Sequence, residues 1–565
     1  MKEKSKVPEF QSRWVIRGSL TTEGPLHVGD GGEAYVVNRA RAKGNDESDA
    51  STVCADHRGR ACIPGSAIKG ALRARVKTAH GGKLPREWET LLGSEQADEM
   101  DAEGGVVEFS DALIPSGAQP PTFDKIQNAT PRSSYDVQGG APAYWQDERF
   151  TGVAVSVSLD RRTRTAKESL LYSLEYVPAN VSFDFELTGE NISDSDVARL
   201  LSLLDCFNRR SEQTENGAGK QERDHDRVTL GAQASNSWGL VEWKLTEVRC
   251  FTAKELRASL PRWLNGTEPL PGVGYSLCRR IDHVGIEEQK RPLPGKRNIL
   301  VFDITLNFQG PLLVRDPQQS QRVKNAKEKN AEEDQKPPDA TPILDERGYP
   351  MIPAKAARGV LRSQVERILR TMNLPAVEPS GIKPVTDPKA VIDLDLAAQL
   401  FGASGWRAPL EVNPFIWADV NKKPQWLDQE FVAIDRFTGG AAEGRKFNAR
   451  AALNPNLIGK LTIDLDRIAD LPACNTARGL IALLLRDLLE GDLVFGSKSS
   501  IGYGQCIATV NVEDPLWTWS EKQNFGTASY EVAQWFRSGA VTESLKKLRN
   551  GASAAAQPSP EKSNV

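Results

Sequence analysis

IPGSAIKGALRARVK at residues 63–77 has a second copy, IPAKAARGVLRSQVER, at residues 352–367. Each runs from a hydrophobic residue and a Pro through a short small-residue turn into a helix. Ile68, Ala71, Leu72, Val76 and Ala79 fall on one face of the first helix. Ala357, Val360, Leu361, Val365, Ile368 and Leu369 form the matching face of the second. Lys69, Arg73 and Lys77 recur every four residues on another face, and Lys355, Arg358 and Arg362 open the second helix. A Pro and small residues at a helix start leave backbone N–H groups free. Those groups, the helix dipole and early Lys/Arg make an anion site suited to phosphate. One such helix reads equally well as an ordinary amphipathic helix with a solvated basic face. Two copies in matching surroundings favour a shared role.

The surroundings repeat in the same order. TPILDERGYPMIPAKAARGVL at 341–361 matches STVCADHRGRACIPGSAIKGAL at 51–72, and LFGASG at 400–405 matches LLGSEQ at 91–96. VAIDRFTGGAAEGRKFNARAALNPN at 432–456 matches VSLDRRTRTAKESLLYSLEYVPAN at 157–180. The helix ARGLIALLLRDLLEG matches VARLLSLLDCF, and FGSKSSIGYGQCIATV at 495–510 matches LGAQASNSWGLVEWKL at 230–245. The offset falls from 289 residues at Ile63/Ile352 to 275 at Asp160/Asp435 and 265 at Gly231/Gly496. This is an internal duplication with unequal insertions. Each copy reads strand, helix, strands, helix, strand, which predicts an α+β fold of two tandem ferredoxin-like domains. The expected organisation is a first domain at 1–250, a connector at 251–298, a second domain at 299–515, and a helical extension with a disordered tail at 516–565. Residues 318–338, almost free of large apolar side chains, are expected to be disordered.

The chain has 565 residues, 39% of them hydrophobic, and a net charge of −3, so no global field draws it to nucleic acid. Any nucleic-acid site must be a local groove of Lys and Arg. Seven scattered cysteines without a CxxC pair point to a reducing cytoplasm, and away from disulfides or a structural zinc. The N-terminus lacks an apolar core segment and no run of 18 apolar residues occurs, so a soluble, cytoplasmic protein without membrane contact is expected. A Walker A loop, HExxH, a Ser-nucleophile elbow and an aromatic RNP strand are all missing from the sequence.

GPLHVG, a loop with Asp, IPGSAIKGALR, LDRRTRTA and a Gly/Ser-rich terminal loop, taken as an ordered set, resemble the RAMP-type backbone subunits of type III CRISPR effector complexes. The resemblance covers most of 12–250 and 300–512, and the doubling is similar to the fused backbone proteins of the type III-D group. It implies RRM-like (ferredoxin-like) domains with β-hairpin thumbs that stack along a guide crRNA and cut the paired target RNA. Other CRISPR effector subunits would be partners. By the same resemblance, Ser66, Lys69 and Arg73, and Lys355, Arg358 and Arg362, would hold the guide backbone. The Gly/Ser loops would lie on it through Gly231 and Ser235, and through Gly496, Lys498, Ser499 and Gly502. Arg161, Arg162 and Arg436 would belong to the thumbs.

The cutting residue in that family is an Asp upstream of the IPGS motif. The resemblance puts this role on Asp339, six residues before Asp345, and on Asp49, with Asp46 and Asp56 as competitors in the first copy. Such an Asp would place Mg2+ or a similar divalent ion, or accept the 2′-hydroxyl proton. Three alternatives stand beside this. One is a scaffold of the same kind without cutting. Another is a guide-processing ribonuclease, which would rest on a His, and His27 has Leu313 as its counterpart. The last is a tandem RRM-like protein outside CRISPR systems.

Overall fold

The computed structural model describes residues 9–36, 48–94, 104–121, 145–159, 166–208, 210–213, 220–223, 227–265, 279–281, 299–316, 338–345, 348–376, 385, 391, 393–419, 421–469, 474–512 and 546. Of the expected disordered stretch 318–338, all but residue 338 lies outside them, as do almost all of the 516–565 extension and Asp46, Arg161 and Arg162.

In the first unit the main strands are β1 (Ser12–Thr22), β2 (Gly29–Val36), β3 (Ser48–Val53), β4 (Gly152–Leu159), β5 (Ala166–Tyr176), β6 (Ser182–Glu190) and β7 (Val241–Thr252). Its helices are α1 (Gly65–Ala79), α2 (Arg86–Leu92) and α3 (Asp194–Leu204). β1 is central, antiparallel to β7 on one side and β6 on the other, and short strands at Val107–Phe109, Ala112–Leu113 and Cys62–Ile63 lie beyond β6. β6 shows why: SFDFELTGE alternates, so that Phe183, Phe185 and Leu187 enter the core while their neighbours face water. Ile68, Leu72 and Val76 of α1 pack on that core, as their helical spacing predicts.

A helix α4 (Ala253–Leu264) follows β7, and β8 (Arg279–Ile281) then pairs with β7. Part of the expected 251–298 connector therefore extends the first sheet, because the chain returns to satisfy the open edge of β7.

The second unit repeats the plan with β9 (Ile299–Phe308), α5 (Ala354–Thr371), α6 (Leu396–Phe401), β10 (Gln425–Ile434), β11 (Ala441–Leu453), β12 (Asn456–Asp464), α7 (Cys474–Leu489) and β13 (Cys506–Val512). β9 lies between β13 and β12, the same order as β7–β1–β6, with Leu410–Val412 beyond β12. The fold is α+β with antiparallel sheets in the ferredoxin-like order, twice over. Each unit has its own apolar core.

Each unit also carries a separate smaller sheet. In the first unit it is β2–β3–β5–β4, with β3 running parallel to β5. In the second it is Pro311–Leu312 with the long hairpin β11–β10. These hairpins occupy the place of the expected thumbs.

Candidate nucleic-acid interface

Lys69 and Arg358 match between the copies, yet their surroundings differ. At the start of α1, Ser66 is exposed and Lys69 half-buried, with no hydrogen bond or ion pair among the described residues. Burial, then the charge of Arg73, hold the Lys69 ammonium below the usual lysine range. Arg73 donates from Nη2 to the Ser94 carbonyl at 2.7 Å. The expected free N–H groups are partly taken, since Gly65 N–H donates to Asp111 Oδ1 at 2.8 Å.

At the start of α5 the basic residues are drawn inward. Arg358 donates to Ser235 Oγ and the Phe401 carbonyl, and to Asn236 Oδ1 at 3.4 Å. Burial, then the neighbouring Arg362, push its pKa down to about 10. Arg362 pairs with Glu366 at 3.1 Å and donates to the Gly402 carbonyl at 3.1 Å. Lys355 reaches Ser156 Oγ on β4 at 3.3 Å and lies 5.4 Å from the Trp238 ring centroid. Ser235 and Arg358, both expected on RNA, thus meet each other. The first unit's Gly/Ser loop seats on the second unit's helix start.

The two loops share one backbone form. Gly231 and Gly496 take φ of +72° and +82°, with a short 3-10 turn at Ala234–Asn236 or Ser499–Ile501. The second loop stays open: Ser500, Ile501 and Gly502 are exposed and Ser499 is half-buried. Its Lys498 ammonium lies 3.3 Å and 4.1 Å from the ring centroids of Phe431 and Phe447, which stack across β10 and β11. Burial, then the charge of Arg315, lower the Lys498 pKa. Trp238 and Tyr503 pack on their own hairpins: Trp238 lies 5.5 Å from Tyr176, and Tyr503 donates to Gln429.

At the tip of the β10–β11 hairpin, Asp435 Oδ1 accepts from the N–H groups of Phe437 and Thr438 and closes the turn. Those two bonds hold the Asp435 carboxyl below its usual range. Arg436 is exposed beside Phe437, which is 99% exposed. Phe437 was missed in the sequence; an aromatic beside Arg in an Asp-closed turn was the available signal.

Asp339 sits at the root of the same hairpin. Its N–H donates to Asn448 Oδ1 at 2.8 Å, and its Oδ2 accepts from Asn448 N–H at 3.0 Å. Ala340 then bridges Ala449 in parallel. In the first unit Ser51 pairs in parallel with Leu174, and Ala50 with Ser173. Asp56 and Asp345 open the same hairpin, bonding to Arg60 and Tyr349, and mark the register. Counting six residues back from each gives Ala50 and Asp339. Asp49, expected to match Asp339, stands one place earlier, opposite Tyr35 on β2. The correction has a simple cause: distances to Pro64 and Pro353 differ by one residue, and a strand register does not absorb that.

A protein-family model describing the RAMP superfamily matches residues 19–242 and 305–507. The chain belongs to the RAMP superfamily. Among curated proteins, none matches it. RAMP membership implies a CRISPR-associated RNA-binding role, and RAMP proteins include RNA-cleaving members. His27 of the first RAMP unit is buried, with Nδ1 2.6 Å from the Glu175 carbonyl, which removes it from any open site. Among the described residues no group of three His, Cys, Asp or Glu gathers as a metal cage. No described helix is long and apolar enough to cross a membrane.

Proposed function

We propose that this RAMP protein is a fused, type III-D-like backbone subunit of a type III CRISPR effector complex, serving antiviral defence. It holds a guide crRNA along its two units and cuts the target RNA paired to it. The observation that carries this reading is the second unit's hairpin. Its tip offers an exposed aromatic and a cation to bases and phosphate, and its root holds a carboxylate in fixed orientation. With one oxygen bonded to Asn448, Asp339 keeps the other for the 2′-hydroxyl proton. The 2′-oxygen then attacks the adjacent phosphorus and the bond to the 5′-oxygen breaks. This leaves a 2′,3′-cyclic phosphate, and water protonates the departing 5′-oxygen.

The contact between the units supports assembly with other effector subunits. It is head-to-tail, loop on helix start, and parts of its counterparts remain exposed: Ser66 at the start of α1, and Ser500, Ile501 and Gly502 in the other loop.

The test is cleavage of an end-labelled RNA complementary to the bound guide, by the assembled complex, with Mg2+ or EDTA. We expect co-purifying crRNA, a Mg2+-dependent cut, and about tenfold slower cutting in Phe437→Ala, as for a lost base stack. A chain that carries no crRNA would sink the reading.

A further inference from the structure

The three places that surround the second unit's root carry charge, and their structural matches in the first unit do not. Asp339 matches Ala50, by the parallel bridges of Ala340 to Ala449 and Ser51 to Leu174. The match closes from the other side as well. Leu26 bridges Val177 and Leu312 pairs with Ala452, in each case three residues beyond the bridged position on the hairpin strand. Arg315 matches Gly29: each sits three residues after that leucine, and Arg315 bridges Pro342 where Gly29 pairs with Val53. Lys498 matches Gln233, since both take the left-handed position before the 3-10 turn, at φ 65° and 64°.

These elements are hydrogen-bonded edge to edge in the second unit. Ser497 N–H bonds to the Leu313 carbonyl at 2.8 Å, Asp316 N–H to the Thr341 carbonyl at 2.9 Å, and Arg450 N–H to the Ala340 carbonyl at 2.9 Å. Arg315 thus lies on the segment between the Lys498 loop and the Asp339 strand. It is exposed and makes no hydrogen bond or ion pair among the described residues. An unengaged guanidinium there suits a phosphate whose charge grows during cleavage. In the first unit Gln233 spends its side-chain carbonyl on Asn236 Nδ2 at 2.6 Å, and Ala50 is fully buried.

Resting on the nuclease reading above, we propose that cutting by this chain belongs to the second unit alone. Asp339 acts with Arg315 and Lys498 as flanking cations, and the first unit holds RNA without cutting it. Arg315 is a residue of the cutting site that contacts the scissile phosphate. Asp49, one register place away from the matching position, takes no part.

The experiment uses the assembled complex with its guide and an end-labelled complementary RNA, read for the number of cuts, their rates and target binding. Asp339→Asn, which keeps an acceptor for Asn448, is expected to lose one cut by roughly 100-fold or more while target stays bound. Asp49→Asn is expected to lose none. Arg315→Ala is expected to slow the Asp339-dependent cut about tenfold or more at unchanged target affinity, with partial rescue by Arg315→Lys. Loss of a separate cut in Asp49→Asn overturns the one-site inference and leaves the nuclease reading standing. Full cutting by Asp339→Asn with RNA bound overturns the nuclease reading itself. Weaker binding at normal rate in Arg315→Ala overturns the role given to that residue.

Discussion

Lys69 in α1 and Arg358 in α5 occupy one position of the duplicated helix, yet one is half-buried without a hydrogen bond among the described residues and the other is folded into the protein. The loops differ in the opposite sense. Residues 231–239 are spent on the neighbouring unit, whereas 496–504 stay exposed around Ile501, which is 55% accessible. Duplication thus supplied two copies of a helix start and two copies of a loop, and joining the units consumed one of each. The frame was kept by backbone geometry while the side chains were free to diverge. That is why the turn positions agree between units and the charges do not.

The largest expected effect breaks the shared frame. A Cβ on Gly231 would lie 2.1 Å from the His27 carbonyl oxygen, and one on Gly496 2.6 Å from that of Leu313, both at positive φ. Gly231→Ala and Gly496→Ala should each destabilise their unit by roughly 3 kcal/mol or more, the first by more than the second. Gly502 is the control, since its φ is +87° with open space around it and Ser237 holds φ +61° in the first unit. Gly502→Ser should cost about 1 kcal/mol or less. Thermal unfolding of the three variants separates the cases, and equal losses at all three would show that the loop contacts are not what the glycines protect.

Much of this was legible in the sequence. The duplication, the ferredoxin-like order and the buried helix faces follow from periodicity, because apolar spacing and sheet alternation are local. The place of Asp339 in the strand register was legible through its distance to Asp345, which a rigid hairpin preserves. The meeting of Arg358 with Ser235 was not, because it joins residues 123 positions apart and depends on how two units are laid together. The matching of Asp49 with Asp339 misled for a different reason. A spacing count cannot detect a one-residue register difference, whereas the ladder from Ser51 to Leu174 fixes it.

A smaller effect sharpens the contrast at the helix starts. Arg358→Ala removes bonds to half-buried Ser235, to buried Asn236 and to the carbonyl of buried Phe401. About 1.5–3 kcal/mol of stability should go with it. Lys69→Ala, the same position in the first unit, should change stability by about 0.5 kcal/mol or less, as at most surface sites. Denaturant unfolding of both variants measures the difference. Equal losses would mean that the first helix start is also engaged, and that the head-to-tail arrangement does not leave it open.

The smallest effect concerns the hairpin that marks the register. Burial pushes the Asp56 carboxyl up, but the N–H groups of Arg60 and Arg58 and the Arg60 guanidinium outweigh it and hold its pKa below the ordinary value. A carboxyl with a depressed folded pKa stabilises the fold above its unfolded pKa, about 3.9, and loses that contribution as pH falls through the folded value. Asp56→Asn imitates the protonated form. At pH 7 it should cost about 1 kcal/mol, since Asn keeps the oxygen that accepts from the two N–H groups and loses only the charge that strengthens those bonds and the one to Arg60. Toward pH 2 to 3 wild type and variant should converge, roughly over the range in which the carboxylate takes up its proton. Urea unfolding at both pH values decides it. A deficit that persists in acid would mean that shape, not charge, holds the turn, and the register mark shared with Asp345 would then rest on the backbone bonds to Arg60 and Tyr349 alone.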